Sequence, residues 1–301
     1  MDVVNRTGPI VVLGSANMDL VTRQPRLPEP GETMTGSDFS TGAGGKGLNQ
    51  AVAARRAGAE VAFAGAVGDD GFGRELRAFL EGERIATDAL RTSAAPTGIA
   101  QVSVLDGGEN SIVIVAGANG EEELTDGDRA LIASAAALVV QLERPLALVE
   151  RALAAGRQAE ALTVLTPAPV DAEAARLLPL VDILVPNESE ALALSGASDV
   201  ETAARRLSAE AGTVIVTRGS KGALIARGGD IVAAVAAREV EAVDTTGAGD
   251  TFVGVLVAWL TRGEPLEAAV EAATAAAAIA VTRPGAAPAM PTREEIDAAL
   301  E

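Results

Sequence analysis

The chain of 301 residues contains no histidine, no cysteine and no tyrosine. Without imidazole there is no histidine-centred triad and no His-ligated metal. Without thiols there is no disulfide, no thiolate zinc site and no cysteine nucleophile. Acid–base chemistry is left to carboxylates, lysines and the backbone. Basic side chains are scarce, 24 against 42 acidic ones, for a formal net charge of −18. That balance argues against a nucleic-acid partner, because phosphate backbones are gripped by basic patches. It leaves room for a small anion at a locally basic or dipolar site. No apolar run reaches the roughly 18 residues a membrane span requires; the alanine-rich stretch 272–282 is too short, and residues 1–7 carry no apolar signal region. The expectation is a soluble, cytoplasmic protein with no membrane contact.

Hydrophobic residues make up 48% of the chain, enough for a large core. A β-branched run at 10–13 ends at Gly14 and predicts the first strand. Residues 22–41 hold Pro25, Pro28, Pro30, Gly31 and Gly36 and read as turns with short, poorly buried strands. A helix is predicted over 47–56, a strand over 61–65 and a helix over 69–80. Segments 98–105 and 111–115 flank Asp106-Gly107-Gly108-Glu109-Asn110 and read as a hairpin. Thr125 is placed to cap a helix running to about 135. Strands at 137–141, 163–165, 183–185 and 213–217 then alternate with helices at 145–157, 171–178, 188–194 and 200–211. A second hairpin, 223–226 with 231–234, precedes three helices at 247–261, 265–281 and 293–300. This rhythm predicts an α/β fold of three layers, a mostly parallel sheet flanked by helices. With no clean linker, residues 1–301 read as a single domain, and 22–41 with 98–115 as a small β-sheet covering it.

Ligands of open parallel sheets sit beyond the carboxyl ends of the strands, and the unusual residues follow strands. Asp244-Thr245-Thr246-Gly247-Ala248-Gly249-Asp250 enters an apolar helix. Small residues leave the amides of Gly247, Ala248 and Gly249 unobstructed at a positive dipole end, which suits developing phosphoryl charge. Asp250 could take a proton from an attacking hydroxyl, or could simply cap the helix. Gly42-Ala43-Gly44-Gly45-Lys46-Gly47-Leu48-Asn49 is a second glycine-rich helix entry. Gly47 after Lys46 excludes a Walker A loop, which needs Ser or Thr there. Lys46 and Asn49 suit polyol hydroxyls; the alternative is a flexible loop with an incidental lysine.

Asn17 and Asp19, after the first strand, could chelate adjacent sugar hydroxyls or form an Asx turn. Glu143 is placed similarly, or is a solvated loop charge. Asn187 with Glu190 could hold hydrated Mg²⁺, or be a helix N-terminus favoured by its acids. Thr217-Arg218-Gly219-Ser220-Lys221-Gly222 could cradle nucleotide phosphates or ribose, or be a plain turn.

Taken together and in this order, the motifs resemble the ribokinase-like (PfkB) carbohydrate kinases. Gly44-Gly45-Lys46-Gly47 with Asn49-Gln50-Ala51-Val52-Ala53, and Asp244 to Phe252, match that family's two signatures, and the resemblance runs from the first strand to 293–297. It implies a ribokinase-like fold with a β-sheet lid, and ATP-dependent phosphorylation of a pentose, D-ribose at O5 in the first place. Other sugars or a nucleoside on the same fold are alternatives, as is a non-catalytic binder. Five Phe and one Trp lean against a nucleoside, which needs stacking surface.

By position, the resemblance makes Asp250 the general base and Gly247, Ala248 and Gly249 the anion hole. Asn17, Asp19, Gly45, Lys46, Asn49, Glu143 and Asp250 would hold the sugar. Asn187, Thr217, Arg218, Gly219, Ser220, Lys221, Gly222, Gly249 and Thr274 would hold ATP. Asn187 and Glu190 would order Mg²⁺ through its waters. Asp244, Thr246, Ala280, Arg283 and Gly285 would hold an activating K⁺, with Ala289 standing where the family commonly offers a serine. The lid would also pair two subunits into a homodimer.

Overall fold

Four β-branched or leucine residues between Pro9 and Gly14 have no polar face to offer water, and β1 (Ile10–Leu13) is buried throughout. The computed structural model describes residues 7–107 and 109–301. After β1 come β2 (Asn17–Gln24), β3 (Asp38–Gly44), α1 (Lys46–Arg56), β4 (Val61–Gly68), α2 (Gly71–Gly82), β5 (Leu90–Ser93), β6 (Gly98–Leu105) and β7 (Asn110–Val115). The central part runs α3 (Asp126–Ala133), β8 (Ala137–Gln141), α4 (Leu146–Gln158), β9 (Leu162–Thr166), β10 (Ile183–Leu184), α5 (Glu188–Ser195), α6 (Val200–Ser208) and β11 (Thr213–Thr217). It closes with β12 (Ala223–Arg227), β13 (Asp230–Val235), α7 (Ala248–Leu260), α8 (Leu266–Ala280) and α9 (Arg293–Leu300).

Nine strands form the main sheet in the order β13-β12-β11-β10-β9-β8-β1-β4-β5. All its pairings are parallel except those of β12. Alternation along β1 shows the layering. Ile10 and Val12 face a core shared with Leu48 of α1, Leu256 of α7 and Val270 of α8. Val11 and Leu13 face the opposite core with Ile132 of α3, Leu153 of α4 and Leu207 of α6. The predicted three-layer α/β architecture is therefore present, helices covering both faces of the sheet.

A second sheet, order β3-β2-β6-β7, stands apart from the first. It departs from expectation at Asn17 and Asp19, which do not lie in a turn. They open β2, pairing with Gly44 and Gly42 of β3 and with Gly98 and Ala100 of β6. Two further differences are local. Residues 171–178, expected as an α-helix, form the 3-10 segment Ala172–Leu180, which contains Pro179; proline has no N–H for an α-helical bond. The predicted turn at 106–110 includes Gly108, and the terminal stretch 1–7 includes residues 1–6; these lie outside the described residues. Among the described residues no helix is long and apolar enough to cross a membrane.

Candidate active site

The chain runs from β1 to β4 on one side and reaches β8 on the other, so the strand order reverses between β1 and β8. A crevice opens at the carboxyl ends of such a pair. Here it is spanned by the Ser15 hydroxyl, which donates to Glu143 Oε2 at 2.5 Å, while the Lys46 amide donates to the same oxygen at 3.1 Å. Asn17 is drawn to the same place. Its Oδ1 accepts from Asn119 Nδ2 at 2.8 Å, and Asn119 also bonds both backbone groups of Ala16.

Helix α7 enters from above this crevice. Gly247 adopts a left-handed φ of 75° as its N-cap, a conformation that strains any residue with a Cβ. A Cβ there would also stand 3.0 Å from that of Ala286. The Ala248 amide is spent on Thr245 O at 3.3 Å. Gly249 is exposed, with open space where its side chain would be. The first turn of α7 thus presents backbone N–H groups to the exterior beside a buried carboxylate, that of Asp250.

Asp250 owes its position to close packing of α7 on α1. A Cβ at Gly254 would lie 2.5 Å from Ala53 Cβ and 2.6 Å from the Gln50 carbonyl, so glycine lets the helices approach. That contact brings Asn49 Nδ2 to 3.1 Å from Asp250 Oδ2 and Gln50 Nε2 to 2.9 Å from Oδ1. Burial pushes the Asp250 carboxyl above the ordinary range, and Lys46, Gln50 and Asn49 oppose that rise. Burial disfavours charge on Lys46 too, but the fields of Asp250, Glu143 and Glu190 outweigh it and hold the ammonium above its usual value. Asp19 is pushed up to about 7, first by burial and then by Glu143 and Asp250. Asp19, Lys46, Asn49, Glu143 and Asp250 therefore form one cluster through their fields and hydrogen bonds, with Asn17 two residues from Asp19 on β2.

The second cluster lies at the ends of β10 and β11. Asn187 caps α5 in a reciprocal capping box with Glu190: Asn187 Oδ1 accepts from the Glu190 amide at 2.8 Å, and Glu190 Oε2 accepts from the Asn187 amide at 2.9 Å. The capping alternative is realised, and it leaves Glu190 within the field of Lys46. Thr217 bridges to Asn187, its amide donating to Pro186 O at 2.9 Å. Arg218 through Gly222 form one 3-10 turn, closed by the Arg218 amide on the Gly222 carbonyl at 2.7 Å. Lys221 pairs with Glu188 at 3.3 Å, and Ser220 is exposed. Thr274 Oγ1 donates its proton to Val270 O of its own helix at 2.8 Å, leaving the oxygen only as an acceptor.

A third cluster joins two loops through Asp244. Its Oδ1 accepts from the Thr246 amide and hydroxyl at 2.9 and 2.6 Å, and its Oδ2 from the Gly285 amide at 2.9 Å. Burial would raise this carboxyl, but those donors and Arg23 hold it low. Ala280 O accepts from the Arg283 amide, and the Arg283 side chain turns to Glu295 at 2.5 Å.

Sequence reasoning did not assign Ser15, Gln50, Asn119, Gln141 and Thr166, although the first three bond directly to the pocket residues above. No local signal marks Gln141: its full burial at the end of an otherwise apolar strand is visible only in the structure.

The chain matches the pfkB family carbohydrate kinase model over residues 8–293. It is 40% identical to ribokinase of Haemophilus influenzae over 297 residues, covering 95% of this chain and 96% of that protein. It is 37% identical to ribokinase of Mus musculus, covering 97% and 94%. Among solved structures, ribokinase of Arabidopsis thaliana complexed with ribose and ATP superposes with a TM-score of 0.90 at 32% identity, covering 98% of this chain and 99% of that one. Ribokinase of Thermotoga maritima superposes with a TM-score of 0.91 at 33% identity, with the same coverage. The chain belongs to the pfkB family of carbohydrate kinases. It is an ATP-dependent carbohydrate kinase with the ribokinase fold.

Proposed function

We propose that this kinase transfers the γ-phosphoryl group of ATP to O5 of D-ribose, with Asp250 as general base and the Gly247, Ala248 and Gly249 amides as anion hole, the Ala248 amide exchanging its long bond to Thr245 O for a phosphoryl oxygen. The carrying observation is the first turn of α7, where a buried carboxylate with donors on both oxygens adjoins outward-facing amides. The relatives named ribokinase, and the Arabidopsis ribokinase structure holding ribose and ATP, support the choice of sugar.

The pocket divides the work. Asp19 and Glu143 accept hydrogen bonds from sugar hydroxyls, while Asn17, Asn49, Lys46 and the Gly45 backbone complete the grip. The 5-hydroxyl attacks the γ-phosphorus, its proton passes to Asp250, and ADP leaves. Lys46, above its usual pKa, stands ready to meet the transferring phosphoryl oxygens. The nucleotide rests on Asn187, Thr217 and the 218–222 turn. Thr274, whose proton goes to Val270 O, would meet the nucleotide as a hydrogen-bond acceptor.

Among the described residues no group of three or more acidic side chains is spaced to hold a metal directly. Glu190 nevertheless keeps a lone pair on each oxygen beyond the capping box, which fits Mg²⁺ held through its waters. Bound there with ATP, Mg²⁺ would offset phosphate charge. The loops joined by Asp244 would hold a monovalent cation through the backbone carbonyls of 280, 283 and 285, that of 280 by its second lone pair, with the Arg283 charge offset by Glu295. K⁺ there would add positive charge behind the anion hole.

The four-stranded sheet serves as the lid. Pairing places Asp19 on one face with Val21, Val102, Ile112 and Ile114, and the last two are exposed. A second copy covering that face makes the homodimer.

The test is ADP release across a panel of pentoses, hexoses and nucleosides, with and without K⁺, for the native chain and Asp250→Asn. Ribose should turn over fastest, and Asp250→Asn should lose about 10²–10⁴-fold in kcat while still binding ATP. Turnover of another compound with ribose inert overturns the substrate; comparable turnover by Asp250→Asn overturns the base.

A further inference from the structure

Asp250 is held by more than its immediate neighbours. Gln50 Nε2 donates to its Oδ1 at 2.9 Å and also reaches Thr166 Oγ1 at 3.3 Å. Gln50 Oε1 in turn accepts from Gln141 Nε2 at 2.6 Å. Gln50 and Gln141 are both fully buried, one on α1 and the other ending β8. Gln141 Oε1 lies against Gly14 with no donor among the described residues.

The direction of this chain is set by charge. A primary amide can present either its carbonyl or its NH₂. Turning Gln50 over would set a carbonyl oxygen against the Asp250 carboxylate, and turning Gln141 over would leave two carbonyls facing each other. With an ionised Asp250 only one polarity works, and the cost is the orphaned Gln141 carbonyl at the far end. A buried acceptor left without a donor is unfavourable. The compensating gain lies at the other end of the chain, where Gln50 Nε2 reaches the Asp250 carboxylate.

We propose that Gln50 and Gln141 are positioning residues for phosphoryl transfer, a one-way chain of amides from the end of β8 through α1 that fixes the Asp250 carboxylate against the sugar hydroxyl. Two carboxylate oxygens each anchored by one amide leave the remaining lone pairs in a set orientation, and the donors favour the ionised state needed to receive a proton. The charged groups acting on Asp250 from neighbouring elements are Lys46 of α1 and Glu143 after β8; Asp19 of β2 and Glu190 of α5 share the same field. Gln50 is the neutral member that tunes this set without adding charge. The inference rests on Asp250 being the proton acceptor.

The test uses isosteric variants of the full chain, Gln50→Met and Gln141→Met, with Gln50→Glu as a charged contrast. The readouts are kcat and the sugar KM with ribose and ATP from about pH 5 to 9. Gln50→Met removes a donor to the ionised form, so the acid limb of kcat should move up by about one pH unit. At neutral pH kcat should fall about tenfold, with the sugar KM within about twofold of native. Gln141→Met should shift the limb the same way by less, and it carries the test if Gln50→Met does not fold. Gln50→Glu sets two carboxyls together and should move the limb further than Gln50→Met. An unmoved limb with Asp250→Asn inactive overturns the relay alone; full turnover by Asp250→Asn overturns the base and the relay together.

Discussion

Strand β1 reads Ile-Val-Val-Leu and strand β7 reads Asn-Ser-Ile-Val-Ile-Val. By composition both are β-branched apolar strands, yet every residue of β1 is buried and every residue of β7 is exposed. The difference lies in their neighbours. β1 is central in a nine-stranded sheet with helices on both faces, whereas β7 is the edge of a four-stranded sheet without such cover. Apolar patterning states that a strand needs to be covered; it does not say by what. In the large sheet the cover is the chain itself, and Glu143 follows β8 while Asp250 opens the first turn of a covering helix. In the small sheet, Asp19 at the start of β2 joins the pocket while the opposite edge is left bare.

The sharpest way to break this contrast is on the side of the large sheet. Gly247→Val forces a β-branched residue to φ 75° and crowds Ala286. It should lower kcat about 10²–10³-fold, the loss seen when an anion-hole donor is displaced, and leave the sugar KM nearly unchanged. Near-native turnover in a stopped assay of ADP release would show that the first-turn amides of α7 do not serve the transition state.

Asp19 joins the two regions, and its prediction has two halves. Its folded pKa of about 7 lies above the ordinary 3.8. The native state therefore keeps a proton that the unfolded chain gives up between those values. That contribution to stability is complete below about pH 4 and is lost as pH rises through about 7. Asp19→Asn, which cannot ionise, should be more stable than the native chain at pH 8 by about 2–4 kcal/mol and no more stable at pH 4. Its sugar KM should rise about 10–100-fold, because an ionised acceptor of two hydroxyls is replaced by a neutral amide. For the native chain, KM should fall as pH rises through about 7. Thermal melts and sugar titrations at both pH values check the two halves, and a variant no more stable at pH 8 than at pH 4 would mean that Asp19 carries its charge freely.

Much of this architecture was legible from residue order. Period and punctuation give the alternating strands and helices from β8 to β11, save the 3-10 segment Ala172–Leu180 where an α-helix is expected, because the other elements answer to local patterning. The glycine-rich entries to α1 and α7 announce themselves, since few other residues tolerate those approaches. Asn17 and Asp19 were read as following a strand rather than opening one: Asn and Asp favour turns locally, and only pairing to Gly44 and Gly98 on both sides makes Asn17 a strand residue. Gln50 and Gln141 were invisible for a different reason. An amide within an alanine-rich helix or at the end of a strand has no local signature, and their bond spans 91 positions of the chain.

The smallest effects on the single chain are expected at the bare edge. Ile112 and Ile114 share a face with Val102 and Val21, as the β2–β6 and β6–β7 registers require. In a monomer a lysine at either position would simply meet water and change stability by no more than about 0.5 kcal/mol. In a dimer that buries this face, a lysine would be desolvated against apolar neighbours and association would fail. Ile112→Lys should therefore halve the sedimenting mass while leaving the unfolding of the separated chain nearly unchanged. The same substitution should raise the sugar KM, because Asp19 lies on that face and loses the cover that excludes water from its hydrogen bonds. A native chain that already sediments as a monomer would assign the exposure of β7 to some other partner and leave the pocket to close on its own.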